Sequence, residues 1–327
     1  MVRLHIKNNR SGQDVFRMSE ERYASAAERH PDIAAQVEAL IDFDLDSFDE
    51  SMATADALVT WDLPTEEFAN RAPNLRWIHI IGAGIEHLLP LDWLPDGVTL
   101  TNNRGVHAEK AGQYGLMALL MLNNAIPALV DQQRRHVYAD RFTTAITGKT
   151  LLVVGAGAMG SAVAKQTKLV GMKTVGIRRR PRPTDGFDEI YGPEQLDDLL
   201  PTADFLLVTA PVTAETKGLI DARRIGLLQP HAGLINMGRA PVVDYEALAA
   251  ALHKGDLAGA VLDVFQPEPL PETSPLWDVP NLIMTPHMSS DDALTYAPRT
   301  LDLVFENLGR LLAGEPLLNI VDPVLGY

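Results

Sequence analysis

The 327-residue sequence contains no cysteine, and this absence excludes several kinds of chemistry. A chain without thiols has no disulfides, no thiolate nucleophile and no zinc site built on cysteine. Basic charge is also scarce, because 28 lysine and arginine residues stand against 43 aspartate and glutamate residues, a formal net charge of −15 at pH 7. A nucleic-acid partner requires a basic face that meets the phosphate backbone, so we exclude that class of function. We predict no metal site.

Long uninterrupted apolar runs are missing as well. Residues 1–7 include the cations Arg3 and Lys7 and lack the apolar core of a signal peptide. The most apolar helical candidate, residues 116–122, stops at two asparagines and is far too short to cross a bilayer. We therefore expect a soluble, cytoplasmic protein with no membrane partner.

Short apolar runs alternate with helical segments along most of the chain, whose length suits two domains. Such alternation predicts an α/β fold, with parallel sheets covered by helices on both faces. The predicted strands are residues 57–60, 77–80, 98–100, 151–154, 172–177, 205–209, 233–236, 259–262 and 282–285. The predicted helices are residues 20–29, 31–40, 108–122, 161–169, 244–254 and 301–313.

One predicted strand leads directly into the pattern G-x-G-x-x-G. The apolar run 151–154 is followed by Gly155, Gly157 and Gly160, and residues 161–169 are compatible with a helix. This order of strand, glycine turn and helix is typical of a dinucleotide-binding site. Gly155 would permit the tight turn, Gly157 would let backbone amides approach a pyrophosphate, and Gly160 would let the helix pack on the strand. The alternative is a glycine-rich turn that binds nothing.

The residue after the next strand distinguishes between the two nicotinamide dinucleotides. An acidic residue about 20 positions past the glycines normally accepts hydrogen bonds from the ribose of NAD. Arg178 stands 18 residues after Gly160, and Arg179, Arg180 and Arg182 follow it. Because a guanidinium offers a planar fork of donors that suits a phosphate, the sequence predicts NADP, with NAD used more weakly. The alternative interpretation is an exposed basic loop.

Arg239, Glu268 and His287 each follow a different predicted strand. Ligands of parallel sheets bind outside the carboxyl ends of the strands, so chemistry is expected there. Arginine can bind a carboxylate and polarise a neighbouring ketone, histidine can transfer the proton, and a carboxylate favours the protonated imidazole. Singly, each residue has an ordinary explanation as a solvated loop or turn residue. Together with the glycine pattern, they indicate an active site that reduces 2-oxo acids.

The order of these motifs resembles the D-isomer-specific 2-hydroxyacid dehydrogenase family. The matching segments run from residue 82 to residue 287, and residues 314–319 also fit. They are the substrate loop 82–86, the glycine pattern 155–160, the segment 211–220, the arginine signature 236–244, the glutamate signature 262–271 and the histidine signature 285–287.

The resemblance implies a fold and a domain arrangement. Two Rossmann-like domains with parallel sheets are expected, with the cofactor domain inserted into a discontinuous substrate domain. The substrate domain would comprise residues 1–101 and 290–327, and the dinucleotide-binding domain residues 102–289. Hinges would lie near residues 101–102 and 286–290, and closure would expel water from the reaction.

The resemblance also implies a role for each site residue. Arg239 would bind and polarise the 2-oxo acid, His287 would be the acid or base, and Glu268 would pair with His287. Asp263 would accept a hydrogen bond from the nicotinamide carboxamide. The residues expected at the substrate are Ala83, Gly84, Arg239 and His287. The residues expected at the cofactor are Gly155, Gly157, Ala158, Met159, Gly160, Arg178, Arg179, Ala210, Pro211, Met237, Gly238, Arg239, Asp263, His287 and Ser290.

The chain departs from the family pattern at three places. Arg178 replaces the usual acidic residue, and Ala240-Pro241 replaces a usual glycine. Residues 136–140 lack a tryptophan that reaches the pocket of the partner subunit in some relatives, which leaves substrate size open. The apolar stretch 116–130 corresponds to the dimer interface of the family, so we expect a homodimer.

The leading hypothesis is an NADP-dependent reductase of small 2-oxo acids such as glyoxylate, hydroxypyruvate or a longer relative. A formate dehydrogenase of this fold would have glutamine rather than Glu268 beside the histidine. Two alternatives stay open at this point. One is a phosphite-type dehydrogenase, and the other is a non-catalytic protein that senses a dinucleotide.

Overall fold

The computed structural model describes residues 1–323 and 326, which form two compact units. The first unit comprises Met1–His107 and the segment from Asp291, and the second comprises Ala108–Ser290. The first division therefore lies after His107, not after Thr101 as expected. The reason is that a boundary after Thr101 would cut the last strand of the first sheet, which ends at Asn102.

Both units are built from strands and helices that alternate along the chain. The strands are β1 Val2–Asn8, β2 Val37–Phe43, β3 Ala57–Thr60, β4 Trp77–Ile80, β5 Thr99–Asn102, β6 Thr150–Val154, β7 Lys173–Ile177, β8 Glu189–Tyr191, β9 Phe205–Val208, β10 Gly233–Asn236, β11 Gly259–Leu262 and β12 Leu282–Met284. The helices are α1 Glu20–Arg29, α2 Pro31–Ala34, α3 Phe48–Met52, α4 Phe68–Arg71, α5 Ala108–Asn123, α6 Ile126–Arg134, α7 Ala158–Lys168, α8 Leu196–Leu199, α9 Ala222–Ile225, α10 Tyr245–Lys254 and α11 Tyr296–Ala313. Short 3-10 helices lie at Asp14–Phe16, Glu86–Leu88, Pro193–Gln195, Leu200–Thr202, Ala240–Val242 and Pro275–Asp278.

Each unit contains one parallel sheet, which confirms the predicted α/β fold with two Rossmann-like domains. The first sheet has the order β2-β1-β3-β4-β5, and the second has the order β12-β11-β10-β9-β6-β7-β8. The strand order reverses between β1 and β3 in the first sheet and between β6 and β9 in the second. Such reversal points are where ligands bind in doubly wound sheets.

Burial on both faces explains why these strands read as continuous apolar runs. In β9, Phe205 and Leu207 belong to one buried cluster, and Leu206 and Val208 belong to another. Because side chains alternate across a strand, the two clusters lie on opposite faces of the second sheet. Helix α5, which precedes β6, supplies much of one cluster, and helix α10 contributes to the other.

One predicted helix is partly wrong. Residues 31–40 were expected to be helical, but α2 ends at Ala34 and β2 begins at Val37. Val37, Ala39 and Ile41 pack against the core of the first unit. They alternate with more exposed neighbours, and this period of two belongs to a strand. The sequence analysis also missed β1 and β8.

Across the described residues 1–323, no single helix is long and apolar enough to span a membrane. Helices α5 and α6 meet at a bend of 64°. Taken together, they have the length and the apolar composition of a membrane span, and no other feature of the described residues indicates one.

A buried histidine lies on β4 of the first unit. His79 has no exposed surface, its Nδ1 lies 2.9 Å from Thr101 Oγ1, and its Nε2 lies 2.9 Å from Asn103 Oδ1. The amide oxygen of Asn103 only accepts, so Nε2 carries the hydrogen and Nδ1 accepts from the threonine hydroxyl. The neutral ring is thus fully paired, and burial lowers the pKa of His79 to about 4.

This depressed pKa predicts an acid-sensitive first unit. Between about pH 6.5 and pH 4 the unfolded chain binds a proton at His79 that the folded chain does not, so the free energy of unfolding should fall as the pH falls. The slope for this one group is up to about 1.4 kcal/mol per pH unit. Urea unfolding of the His79→Gln protein should show a shallower dependence, whereas His253→Gln, at an exposed position, should keep it. Equal slopes in all three proteins would contradict this assignment.

Candidate active site

The carboxyl ends of four adjacent strands are level in the second sheet. The register pairs Asn236 of β10 with Val208 of β9 and with Leu262 of β11, and Leu262 with Met284 of β12. The segments that follow these strands therefore begin at one height along one edge. Predicted cofactor and catalytic residues lie in those segments.

The glycine turn after β6 has the geometry that the sequence predicted. Gly155 has φ +104°, and a β-carbon there would lie 2.5 Å from the amide nitrogen of Ala210. A β-carbon at Gly160 would lie 2.6 Å from the carbonyl oxygen of Gly155. Both positions require glycine because the turn is pressed against the segment after β9 and helix α7 is pressed against the turn.

The start of α7 presents an open, polar surface. Gly157 and Ala158 are exposed, and a β-carbon at Gly157 would meet no atom within 4 Å. Helix α7 begins at Ala158, so the amides of its first turn have no carbonyl partner within the helix. Met159 packs partly against the core. Open space beside these N–H groups fits the pyrophosphate of a dinucleotide.

Arg178 lies beside the glycine turn. The carbonyl oxygen of Ile177 accepts hydrogen bonds from the amides of Gly155 and Ala156, both at 3.0 Å, and Arg178 is the next residue. Its Nη1 donates to Thr184 Oγ1 at 3.0 Å, and Thr184 donates to the carbonyl oxygen of Arg182 at 3.0 Å.

The loop that contains Arg178 concentrates positive charge. Burial and, secondarily, the charge of Arg182 lower the pKa of the Arg178 guanidinium. Arg179 is more exposed, and its Nη1 lies 3.9 Å from a carboxylate oxygen of Glu215. Because like charges repel, a loop of this kind is suited to an anion that lies between the guanidinium groups.

Glu268 and His287 form a hydrogen-bonded pair. Glu268 Oε2 lies 2.8 Å from His287 Nδ1, and Glu268 Oε1 accepts from the amide of Phe265 at 2.7 Å. A carboxylate only accepts, so Nδ1 carries the hydrogen and the other ring nitrogen, Nε2, is the atom that can exchange a proton with a ligand. The two side chains are 36% and 46% exposed, so the pair is accessible.

Asp263 supports the loop that carries His287. Its side chain has no exposed surface, and its carboxylate accepts from Thr285 Oγ1 at 2.6 Å and from the amides of Met288 and Ser289 at 3.0 and 2.9 Å. These bonds hold the loop around His287.

That loop is under backbone strain. His287 has φ +49°, a left-handed value that side chains other than glycine adopt at a cost of about 1–3 kcal/mol. The main-chain oxygen of Asp263 accepts from the His287 amide at 2.8 Å. Main-chain and side-chain oxygens of one aspartate therefore fix the backbone that carries the histidine.

Arg239 is positioned by the segment after β10. It follows Met237, whose side chain is buried in the core, and Gly238. Its Nη1 donates to the carbonyl oxygen of Gly238 at 2.9 Å, and its own carbonyl oxygen accepts from Asn236 Nδ2 at 3.1 Å. The short 3-10 helix Ala240–Val242 follows immediately, so the Ala240-Pro241 departure is compatible with this placement.

The remaining predicted residues lie in both units. Ala83 and Gly84 belong to the first unit, in the loop after β4, where Asn102 Nδ2 donates to the Ala83 carbonyl oxygen at 2.7 Å. Ala210 and Pro211 follow β9 and border the glycine turn, whereas Ser290 is the last residue of the second unit.

Sequence reasoning assigned no role to four side chains that support the site. Hydrogen bonds join them to the segments that carry Arg239 and His287, and the four residues are Asn236, Tyr245, Thr285 and Tyr114. Tyr114 Oη lies 2.6 Å from Thr285 Oγ1. Asn236 gave one usable signal, a polar residue at the end of an apolar strand. The two tyrosines are on helices, where aromatic residues usually indicate only packing.

Comparison with known proteins agrees with this geometry. The family model described as "D-isomer specific 2-hydroxyacid dehydrogenase, NAD binding domain" matches residues 116–289. A glyoxylate/hydroxypyruvate reductase B from Pectobacterium atrosepticum is 33% identical over 281 residues, which cover 84% of this chain and 87% of the relative.

Two crystal structures are similar over almost the whole chain. A D-isomer specific 2-hydroxyacid dehydrogenase from Xanthobacter autotrophicus Py2, in complex with NADPH and MES, has a TM-score of 0.84 and 31% identity over 99% of both chains. An NADPH-dependent glyoxylate/hydroxypyruvate reductase from Sinorhizobium meliloti, in complex with NADP and sulfate, has a TM-score of 0.81 and 26% identity over 99% of both chains.

The fold and the site define a dinucleotide-binding oxidoreductase with a histidine–carboxylate pair. The chain belongs to the D-isomer specific 2-hydroxyacid dehydrogenase family, which confirms the resemblance found in the sequence. A nicotinamide dinucleotide bound at the glycine turn supplies a hydride for the chemistry of such a site.

Proposed function

We propose that the protein reduces small 2-oxo acids to D-2-hydroxy acids, reversibly and with NADPH as the preferred hydride donor. The observation that carries this proposal is the 2.8 Å contact between Glu268 Oε2 and His287 Nδ1 at the strand edge that also carries Arg239 and the glycine turn. The named activities of the reductases from Pectobacterium and Sinorhizobium support the same reaction.

Each residue has a defined part in the proposed reaction. The Arg239 guanidinium binds the substrate carboxylate and polarises the 2-oxo group as negative charge develops on its oxygen. His287 Nε2 donates the proton to that oxygen, and Glu268 stabilises the imidazolium through Nδ1.

The proposed chemistry requires the imidazole of His287. His287→Ala should lower kcat for 2-oxo acid reduction by roughly 10²–10⁴-fold and should change NADPH binding far less, because the ring transfers a proton and does not hold the dinucleotide alone. Steady-state kinetics and fluorescence titration with NADPH measure the two effects separately. Near-normal reduction by this variant would remove the histidine from the mechanism.

Two further variants separate the other roles in the same assay. Glu268→Gln should lose activity at a lower pH than the unmodified protein, because the imidazolium has lost its negative partner. Arg239→Ala should raise KM and lower kcat together, since the arginine serves both the bound carboxylate and the developing alkoxide. An unchanged pH profile in Glu268→Gln would refute the pairing alone and would leave the assignments of Arg239 and His287 standing.

Cofactor preference is the second part of the proposal. Arg178 and Arg179 occupy the place of a ribose-binding carboxylate, so kcat/KM should be at least about tenfold higher with NADPH than with NADH, a difference of about 1.4 kcal/mol. Arg178→Asp should erode or reverse this ratio, whereas Arg76→Asp, directly before β4 in the first unit, should leave it unchanged. Equal use of both dinucleotides by the unmodified protein would contradict the assignment.

We also propose a homodimer with two-fold symmetry. Much of the stretch 116–130 is core, but Met117 and Leu120 are exposed on α5, and Tyr138 and Phe142 beyond α6 are 100% and 93% exposed. Apolar side chains at such exposure are a natural interface with a second copy.

Light scattering tests the assembly directly. At micromolar concentration the measured mass should be twice the 35.7 kDa of one chain. The double substitution Tyr138→Ser and Phe142→Ser should shift the equilibrium toward the single chain because it removes apolar contact area. A single-chain mass for the unmodified protein would overturn the proposal.

A further inference from the structure

A buried amide side chain joins the segment that carries Arg239 to helix α10. Asn236, the last residue of β10, has no exposed surface. Its Nδ2 donates one hydrogen to the Arg239 carbonyl oxygen at 3.1 Å and the other to Tyr245 Oη at 2.9 Å, while its Oδ1 accepts from the Gly238 amide at 3.0 Å. The flipped amide would turn its oxygen toward a carbonyl and its N–H groups toward an amide, so the orientation is fixed.

Tyr245 continues this connection to the segment after β11. Its hydroxyl accepts from Asn236, so its single hydrogen goes to the carbonyl oxygen of Val264 at 2.8 Å. Burial raises the pKa of Tyr245, and the nearby charges of Glu268 and Asp263 raise it further, so the hydroxyl keeps its proton.

The position of Tyr245 is fixed by the start of α10. It is the first residue of that helix, and Asp244 caps the helix by accepting from the Ala247 amide at 2.9 Å. The Tyr245 ring also packs edge-on against Phe265, with centroids 6.3 Å apart. The capped helix and the packed ring leave the hydroxyl little freedom to move.

The next residue along the chain completes the path to the proton-transfer pair. The Phe265 amide, which adjoins the Val264 carbonyl group, donates to Glu268 Oε1 at 2.7 Å, and Glu268 Oε2 contacts His287 Nδ1 at 2.8 Å. One hydroxyl group therefore connects the backbone that carries Arg239 with the backbone that orients Glu268.

We infer that Tyr245 is a positioning residue that sets the placement of Arg239 relative to the Glu268–His287 pair. The inference rests on the proposed 2-oxo acid reduction and adds a residue that does not touch the reacting atoms. Substrate binding at Arg239 and proton transfer at His287 must occur on one small molecule, and errors of about 1 Å in such geometry cost up to 10²-fold in rate. Loss of the Tyr245 hydroxyl should therefore weaken both substrate binding at Arg239 and proton transfer at His287.

Tyr245→Phe removes only the hydroxyl oxygen and tests this role. KM for the 2-oxo acid should rise and kcat should fall, with a combined loss of about tenfold in kcat/KM, because one bridging hydroxyl is lost and its two partners are left unpaired. The alkaline limit of the reduction profile should move to lower pH as Glu268 loses its fixed position, while KM for NADPH should stay within about twofold.

Tyr191→Phe is the matched control. Tyr191 lies on β8 at the opposite edge of the second sheet, and its hydroxyl donates to Glu189. This variant loses the same atom and should keep the kinetic constants and pH profile of the unmodified protein. Thermal unfolding of both variants should be measured alongside. The kinetic constants of both variants should be compared below the lower of their two unfolding midpoints, so that unfolding does not contribute to the loss of activity.

The effect of Tyr245→Phe on the pH profile of reduction should depend on Glu268. A double variant tests this dependence. In a Glu268→Gln background, Tyr245→Phe should produce no further shift of the alkaline limit. A shift of the same size with and without Glu268, or kinetic constants in Tyr245→Phe equal to those of the unmodified protein, would overturn the inference. Failure of the unmodified protein to reduce any 2-oxo acid would instead refute the proposed function, so the two failures are distinguishable.

Discussion

The level carboxyl ends of β9, β10, β11 and β12 are the constraint on which the site depends. The register of these strands sets the positions of Arg239, Asp263 and His287, because each residue lies only one to three positions beyond the end of its strand. Main-chain hydrogen bonds between strands hold that register, and apolar clusters on both faces of the sheet protect those bonds from water. The short segments beyond the strands carry the residues that we propose act in the reaction.

Polar side chains at the same edge convert this alignment into fixed geometry. Asp263 holds the strained backbone of His287, and Asn236 holds the backbone of Arg239. Both side chains are fully buried, so a competing bond to water is not available to them. Because a buried polar group that loses its partner costs about 1–3 kcal/mol, these bonds are strongly maintained in the folded protein. The site is thus preorganised by groups that do not react.

The sequence predicted the parts of the protein that depend on local patterns. Gly155 and Gly160 follow from contacts within one strand–turn–helix unit, and the apolar runs of β9 and β10 follow from burial on both faces. Strand β2 was misassigned because its alanine-containing sequence suits a helix, and only pairing with β1 selects the extended form. The role of Tyr245 and the burial of Asp263 could not be predicted, since the residues that they contact lie 9 to 26 positions away and meet them only in the folded chain.

Charge distribution connects the fold to the choice of cofactor. The chain has a net charge of −15, yet four arginines fall within residues 178–182, beside the glycine turn. A local positive site in an acidic protein attracts a phosphate group without making the whole surface attractive to nucleic acids. Glu215 lies close to Arg179, so the loop after β9 limits the positive charge at this site.

The configuration of the product is the most direct test of the whole account. The purified protein would be incubated with NADPH and a prochiral 2-oxo acid such as hydroxypyruvate, and the product would be resolved by chiral chromatography. One fixed arrangement of Arg239, His287 and the dinucleotide site presents a single face of the ketone, so one enantiomer should form almost exclusively. Membership of the D-isomer specific family makes the D-2-hydroxy acid the expected one. An L product, a racemic product, or no oxidation of NADPH by any 2-oxo acid would contradict the account.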